Sequence, residues 1–290
     1  MDWARDLPSW PLNHLSREVD CRPHRWHVQE TGEGPTLLLL HGAGATTHSW
    51  RDLIPPLAET FHVIAIDLPG HGFTRLGTKS RSGLPTTVDD ILALLKAEAW
   101  QPAALIGHSA GAAVALSLAE RLGRGGGDAP PVVAINAALG RFEGVASWLF
   151  PFLARALALN PLTALAFSAG APQPARARRL IEGTGSRLTD EGIMYYARLI
   201  ADRAHVDGTL QMMSQWNVDA LSDSLPGLSA PCLFITGQND SAVSPEISSR
   251  AAARMAQAKL LPLDGLGHLA HEEDPARVLE PMLDWLGDTC

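Results

Sequence analysis

Six short aliphatic runs, at residues 36–40, 62–66, 103–106, 132–135, 232–236 and 259–263, recur along the chain between segments whose apolar positions follow a helical spacing. Their continuous Leu, Ile and Val character leaves neither face polar, which is what parallel strands covered by helices on both sides require. Ahead of them, residues 17–20 and 25–29 flank Cys21-Arg22-Pro23 and predict an antiparallel hairpin at one edge. The pattern therefore predicts an α/β fold with a mostly parallel eight-stranded sheet flanked by helices.

About ninety residues separate the sixth strand from the seventh, too many for one crossover helix. They predict a helical lid inserted at 141–226, on a core formed by 1–140 and 227–290. Asn160-Pro161 ends one helix of this lid, Thr189 caps TDEGIMYYARLIAD, and residues 205–216 carry apolar positions at helical spacing, giving about four helices in all.

Charge sharpens that division. Lys and Arg number 23 against 31 Asp and Glu, a net charge of −8. No basic run offers a nucleic-acid surface, so nucleic acid is not an expected partner. Within 141–226 eight arginines balance eight acids, so the net charge belongs to the core. Residues 144–175 carry a single charge, Arg155, but Pro151, Asn160-Pro161 and Pro172 cut them into pieces shorter than the roughly 20 apolar residues a membrane span needs. The uncharged run at 100–119 is broken in the same way by Pro102, Gly107 and Gly111. MDWARDLPSWPLNHL has two acids, two prolines and no apolar stretch, so no signal peptide and a cytoplasmic location are expected. Cys21, Cys232 and Cys290 are widely spaced, which predicts neither a disulfide framework nor a metal site.

The chemistry lies at the ends of the predicted strands. Gly107-His108-Ser109-Ala110-Gly111 fits the G-x-S-x-G elbow, in which a strand turns sharply into a helix and presents a serine at the tip; AALI runs into it and AAVALSLAERL runs out. A serine hydroxyl needs an imidazole to take its proton, and the imidazole needs a carboxylate to fix its tautomer. Asp240 follows the seventh strand and His268 follows the eighth, giving the order Ser109, Asp240, His268. At the alternative acid position, after the sixth strand, Asn136 and Ala137 cannot serve. His271 is read as part of the following helix, with Glu272 and Glu273 in a solvated first turn, and His108 as a packed residue. For the oxyanion hole, Ala110 supplies one backbone N–H, and the loop His41-Gly42-Ala43-Gly44 the second, from Ala43 or else from Gly44. Asp67-Leu68-Pro69-Gly70-His71-Gly72 is read as a structural turn. No cluster of His, Cys, Asp and Glu has metal-ligand spacing, and Gly42 to Gly44 lack the setting of a nucleotide loop, so no metal or cofactor is expected.

Together these motifs resemble the α/β-hydrolase superfamily over the entire chain. RWHVQ, LLLLHGAGATTHSWRDL, DLPGHGFTR, GHSAGAA, LIEGTGSRL, YYARL, HVDGTLQMMSQW and GLGHLAHEE further resemble the magnesium-chelatase accessory proteins of bacteriochlorophyll biosynthesis. That resemblance implies a photosynthetic bacterial setting and an association with magnesium insertion into protoporphyrin. Two functions follow as expectations. One is a serine hydrolase acting on an ester or related acyl bond of a small apolar substrate, with a tetrapyrrole among the candidates. The other is an accessory protein whose lid binds a porphyrin, the magnesium chelatase or the face of a membrane. Trp148, Met212 and Met213 are the candidate pocket residues; Trp148, Phe150 and Phe152 are also candidates for helix packing.

Overall fold

The computed structural model describes residues 1–124, 128–140 and 170–289. Eight strands form one sheet: β1 (Ser16–Cys21), β2 (His24–Thr31), β3 (Thr36–Leu40), β4 (His62–Ile66), β5 (Pro102–His108), β6 (Val132–Ile135), β7 (Cys232–Gly237) and β8 (Ala258–Leu263), in the order β1-β2-β4-β3-β5-β6-β7-β8. β1 and β2 form an antiparallel hairpin, β2 joins β4 antiparallel, and the other pairs are parallel. Leu40 is level with Gly107, His108 with Ile135, and Ile135 with Ile235. The loops leaving β3, β5, β6 and β7 therefore emerge along one edge, where open α/β sheets build their sites.

Alternation along each strand divides the core between the two faces. Leu38, Leu40, Ile64 and Ile66 pack with Val88, Ile91 and Leu94 of the helix Leu84–Ala97 and with Val114 and Leu118 of Ala110–Gly123. Leu37, Leu39, Val63 and Ala65 pack on the other side with Trp50, Leu53 and Val278, Met282 and Leu286 of Pro275–Thr289. The last strand departs from the expectation of burial on both faces. β8 has only β7 beside it, and Leu260 is 39% exposed.

Between β6 and β7 the described residues form four α-helices, Pro174–Glu182, Asp190–Ala201, Arg203–Gln215 and Asp219–Ser224, followed by a short 3-10 turn, Leu225–Gly227. Thr189 caps the second by accepting the Gly192 N–H at 3.2 Å, and Asp202 caps the third through His205 N at 2.9 Å. Ala177, Ile181, Ile193, Tyr196 and Leu199 pack against Trp10, Ala45, Phe73 and Leu269, which seats these helices on the strand-end loops. The helix end expected at Asn160-Pro161, and Trp148, Phe150 and Phe152, lie outside the described residues. Among the described residues no helix is long and apolar enough to cross a membrane.

The polar interior is larger than the sequence reading allowed. Glu272 is not in a solvated turn: it is 5% exposed and accepts from Ser49 Oγ at 2.5 Å, Arg51 at 2.7 Å and Tyr196 Oη at 2.6 Å. Partners on two other segments fold over the short helix Ala270–Glu273 and bury its carboxylate. Histidine rings are buried as well, and burial is the main cause holding His24, His41, His48, His71, His108, His205 and His271 below the ordinary imidazole value.

A Cβ on Gly107 would stand 2.6 Å from Ala112 N, and one on Gly111 would run into Leu40 O, whereas one on Gly287 would meet nothing within 4 Å. Gly111→Ala is expected to lose about 3 kcal/mol in urea unfolding, and Gly287→Ala, inside the helix Pro275–Thr289, to gain about 0.5–1 kcal/mol. In acid, the unfolded chain takes up protons that the buried imidazoles refuse. Stability should therefore fall as pH drops below the ordinary value of 6.5 towards about 4 for His205 and about 3 for His271, with each such ring contributing about 1.4 kcal/mol per pH unit. The urea midpoint should drop steeply between pH 6.5 and 5; a flat midpoint over that interval would show that the rings ionise in the folded protein.

Candidate functional site

Ser109 occupies the turn from β5 into the helix Ala110–Gly123 with φ 53° and ψ −116°, a left-handed conformation that side chains other than glycine rarely adopt. The close approach of the backbone around Gly107 and Gly111 holds it there, and Ser109 N donates to Ile135 O of β6 at 2.9 Å. Its Oγ lies 3.0 Å from His268 Nε2, and His268 Nδ1 lies 2.7 Å from Asp240 Oδ2. The structure thus brings together the three side chains singled out in the sequence, from the ends of β5, β7 and β8. All three are buried.

The polar shell fixes each group. Asp240 Oδ1 accepts the N–H groups of Ala242 at 2.9 Å and Val243 at 2.8 Å. Its Oδ2 accepts from His268 and also from Asn136 Nδ2 at 2.7 Å. A carboxylate satisfied on both oxygens can only accept from His268, so the imidazole carries its proton on Nδ1 and turns the Nε2 lone pair to the serine. Asn136, set aside as a candidate acid, is instead a donor to the acid. It stands at the end of β6 with φ 45°, in the alternative acid position, and that placement is the signal that could have found it. His108 is buried as expected, and its Nε2–H donates to the His268 carbonyl at 2.9 Å. His271 does lie in the helix Ala270–Glu273, and its Nε2 meets Ser49 Oγ at 2.9 Å.

Ala110 opens its helix, so its N–H has no intrahelical acceptor. The Gly42 to Gly44 turn runs beside the serine: a Cβ on Gly42 would lie 3.1 Å from Ser109 Cβ and 2.7 Å from His108 Nδ1. Gly42 O accepts from His41 Nδ1 at 2.7 Å and from Ala45 N at 3.1 Å. Because Ala43 N–H belongs to the same planar peptide as Gly42 O, anchoring that oxygen also sets the direction of the N–H. Met212 is packed into the main core cluster, and Met213 is half-buried beside it on the helix Arg203–Gln215. Among the described residues no three or more His, Cys, Asp and Glu side chains are grouped to hold a metal ion.

The sequence reading missed how far the inserted segment enters the site. Thr184 O accepts from His268 N at 3.4 Å and Ser241 N at 3.2 Å, and Ser186 Oγ accepts from Leu269 N at 2.8 Å. Residues 183–186, the Gly-Thr-Gly-Ser of LIEGTGSRL, thus join the loops that carry Asp240 and His268. The glycine and serine content of that segment was its only outward sign. A second serine–histidine–aspartate chain exists at Ser16, His27 and Asp67, with contacts of 2.9 and 2.7 Å. Ser16 lies at the start of an edge strand and receives Gln29 Nε2 at 3.3 Å, far from any elbow, so it clasps β1 to the Asp67 turn.

Comparison with known proteins bears on the fold and the family. The alpha/beta hydrolase family matches residues 37–280. The chain is 42% identical to the "Magnesium-chelatase 30 kDa subunit" of Rhodobacter capsulatus, over 97% of this chain and 98% of that protein. It is 31% identical to a "Pimeloyl-[acyl-carrier protein] methyl ester esterase" of Stenotrophomonas maltophilia, over 88% and 95% of the two chains. A thermophilic esterase from Thermogutta terrifontis superposes with a TM-score of 0.76 at 23% identity, covering 94% of this chain and 98% of that one, which is a likeness of fold. The chain belongs to the alpha/beta hydrolase family.

Proposed function

We propose that this protein is a serine hydrolase that cleaves an ester or related acyl bond of an apolar substrate. One observation carries the reading: Ser109 Oγ stands 3.0 Å from His268 Nε2, which is oriented through Nδ1 by Asp240 at 2.7 Å. Ser109 attacks the acyl carbon while its proton passes to His268 Nε2, and the N–H groups of Ala43 and Ala110 receive the developing oxyanion. Collapse of the intermediate returns that proton to the leaving oxygen and leaves an acyl-serine. Water then repeats the sequence and releases the acid. We infer that the core, 1–140 and 227–290, carries these groups and that the insertion at 141–226 serves as a lid that selects the substrate, with Trp148, Met212 and Met213 as its candidate contacts.

A second reading draws on the identity to a protein named as a magnesium-chelatase subunit. In it the chain is an accessory protein of bacteriochlorophyll synthesis in the cytoplasm, and its insertion engages a porphyrin, the chelatase or the face of a membrane.

Replacing the serine separates the two readings. Ser109→Ala should fold normally, lose covalent labelling by a fluorophosphonate, and lose turnover of p-nitrophenyl esters by a factor on the order of 10⁴ or more. Labelling that persists in Ser109→Ala would move the nucleophile elsewhere, and restoration of pigment synthesis by that variant in a strain lacking the protein would leave only the accessory reading. Asp240→Asn tests the orienting role. An amide there can donate to His268 Nδ1 and turn the Nε2 proton towards the serine, so kcat should fall on the order of 10³- to 10⁴-fold with the fold intact. Wild-type kcat in Asp240→Asn would remove Asp240 from the chemistry.

A further inference from the structure

The HVDGTLQMMSQW motif is not used by the three groups at the serine, yet its helix packs directly on two of the strand-end loops beside the site. His205, in the first turn of the helix Arg203–Gln215, is buried between two strand-end loops. Its Nδ1 accepts the Gly72 N–H at 3.0 Å, and its Nε2–H donates to Gly44 O at 3.2 Å. One turn further along, a Cβ on Gly208 would stand 2.7 Å from Gly70 Cα, and Thr209 Cγ2 lies 3.7 Å from where a Cβ on Gly44 would be. The helix is therefore seated directly on both loops, with only hydrogen between the two glycine backbones. The ring is edge-on to His71 with centroids 5.3 Å apart, which limits its rotation.

The Ala43 turn is held from within at Gly42 O, by His41 and Ala45, but at Gly44 O its hold comes from outside, from His205. Gly44 has φ +77°, a conformation that glycine leaves easily. We infer that His205 is a positioning residue for the oxyanion hole: by fixing Gly44 O against Gly72 N–H, the inserted helix keeps the Ala43 turn aimed at the acyl oxygen. The tautomer needed is set by the neighbours, since Nδ1 faces an N–H and Nε2 must carry the proton. Burial, with the amino terminus nearby, lowers the ring to about 4, so it stays neutral in neutral solution.

The inference rests on Ser109 being the nucleophile, and the experiment keeps the two claims apart. Wild type, Ser109→Ala, His205→Ala and His205→Gln are titrated with a fluorophosphonate to count reactive sites, and the rate constant for labelling per reactive site is measured beside kcat and KM for a p-nitrophenyl ester. Loss of a whole oxyanion donor costs about 10²- to 10³-fold, and a misdirected one less. His205→Ala should therefore lower both kcat and the per-site labelling rate about tenfold while KM stays within about twofold. Gln can offer an acceptor and a donor at similar reach and should recover most of the loss. A residue that served only folding would reduce the number of reactive sites and leave the per-site rate unchanged. That result, or Gln behaving no better than Ala while the wild type labels at Ser109, overturns the role of His205 alone. A wild type that takes no label overturns the hydrolase reading and this inference with it.

Discussion

A side chain at position 111 has no space to occupy, because its Cβ would run into Leu40 O and lie 2.5 Å from His41 O. The helix Ala110–Gly123 can start against the end of β3 only because glycine stands there. With the helix start fixed so close to the strand, the chain leaving β5 must reverse within one residue, and Ser109 absorbs the reversal with a positive φ. A strained residue of this kind costs on the order of 1–3 kcal/mol, and the covered sheet on either side holds it in place. The same closeness brings the Gly42 to Gly44 turn beside the serine, so hydroxyl, helix start and turn are positioned by one packing contact.

The acid and the base are held differently. Asp240 and His268 lie on loops beyond β7 and β8, and β8 is a half-exposed edge strand that gives little support. The inserted segment supplies it: Thr184 and Ser186 take N–H groups from both loops, and Glu273 accepts from Gly267 N at 2.7 Å and Arg187 N at 3.0 Å. Tyr196, from the insertion, also reaches the buried Glu272. The described part of the insertion is therefore part of the framework of the site, and changes to it would be felt at the histidine.

Most of the sheet was legible because burial on both faces leaves a simple mark, a run of aliphatic residues with turn signals at its ends. The three side chains that meet at the site were legible for a related reason: strand ends are where such residues collect, and Ser109, Asp240 and His268 follow β5, β7 and β8 in chain order. What the sequence concealed depends on contacts between distant segments. Glu272 looks like a solvated acid, but its burial requires Ser49, Arg51 and Tyr196, none of them near it in the chain. Asn136 could be excluded as an acid from its chemistry, while its role as a donor to Asp240 required the β6–β7 pairing. His205 gave no local sign, since its partners lie in two other loops.

The two serine–histidine–aspartate chains show why connectivity is a weaker criterion than setting. Ser16, His27 and Asp67 have contacts as short as those at Ser109, and Asp67 also accepts backbone N–H groups, from Thr47 at 2.7 Å and Phe73 at 2.9 Å. Ser16, however, sits on an extended strand with an amide donating to its oxygen, which draws on the electron pairs that a nucleophile needs. Ser109 instead stands on a strained turn with its hydroxyl 3.0 Å from His268 Nε2, and the helix start and the Gly42 to Gly44 turn lie beside it. A hydrogen-bonded imidazole can take the proton of a serine and make it nucleophilic enough to react, but only donors placed for the transition state make the reaction fast. Of these two serines Ser109 alone has such surroundings, and the turn bearing Ala43 beside it is held at one end from the inserted helix, through His205 at Gly44 O.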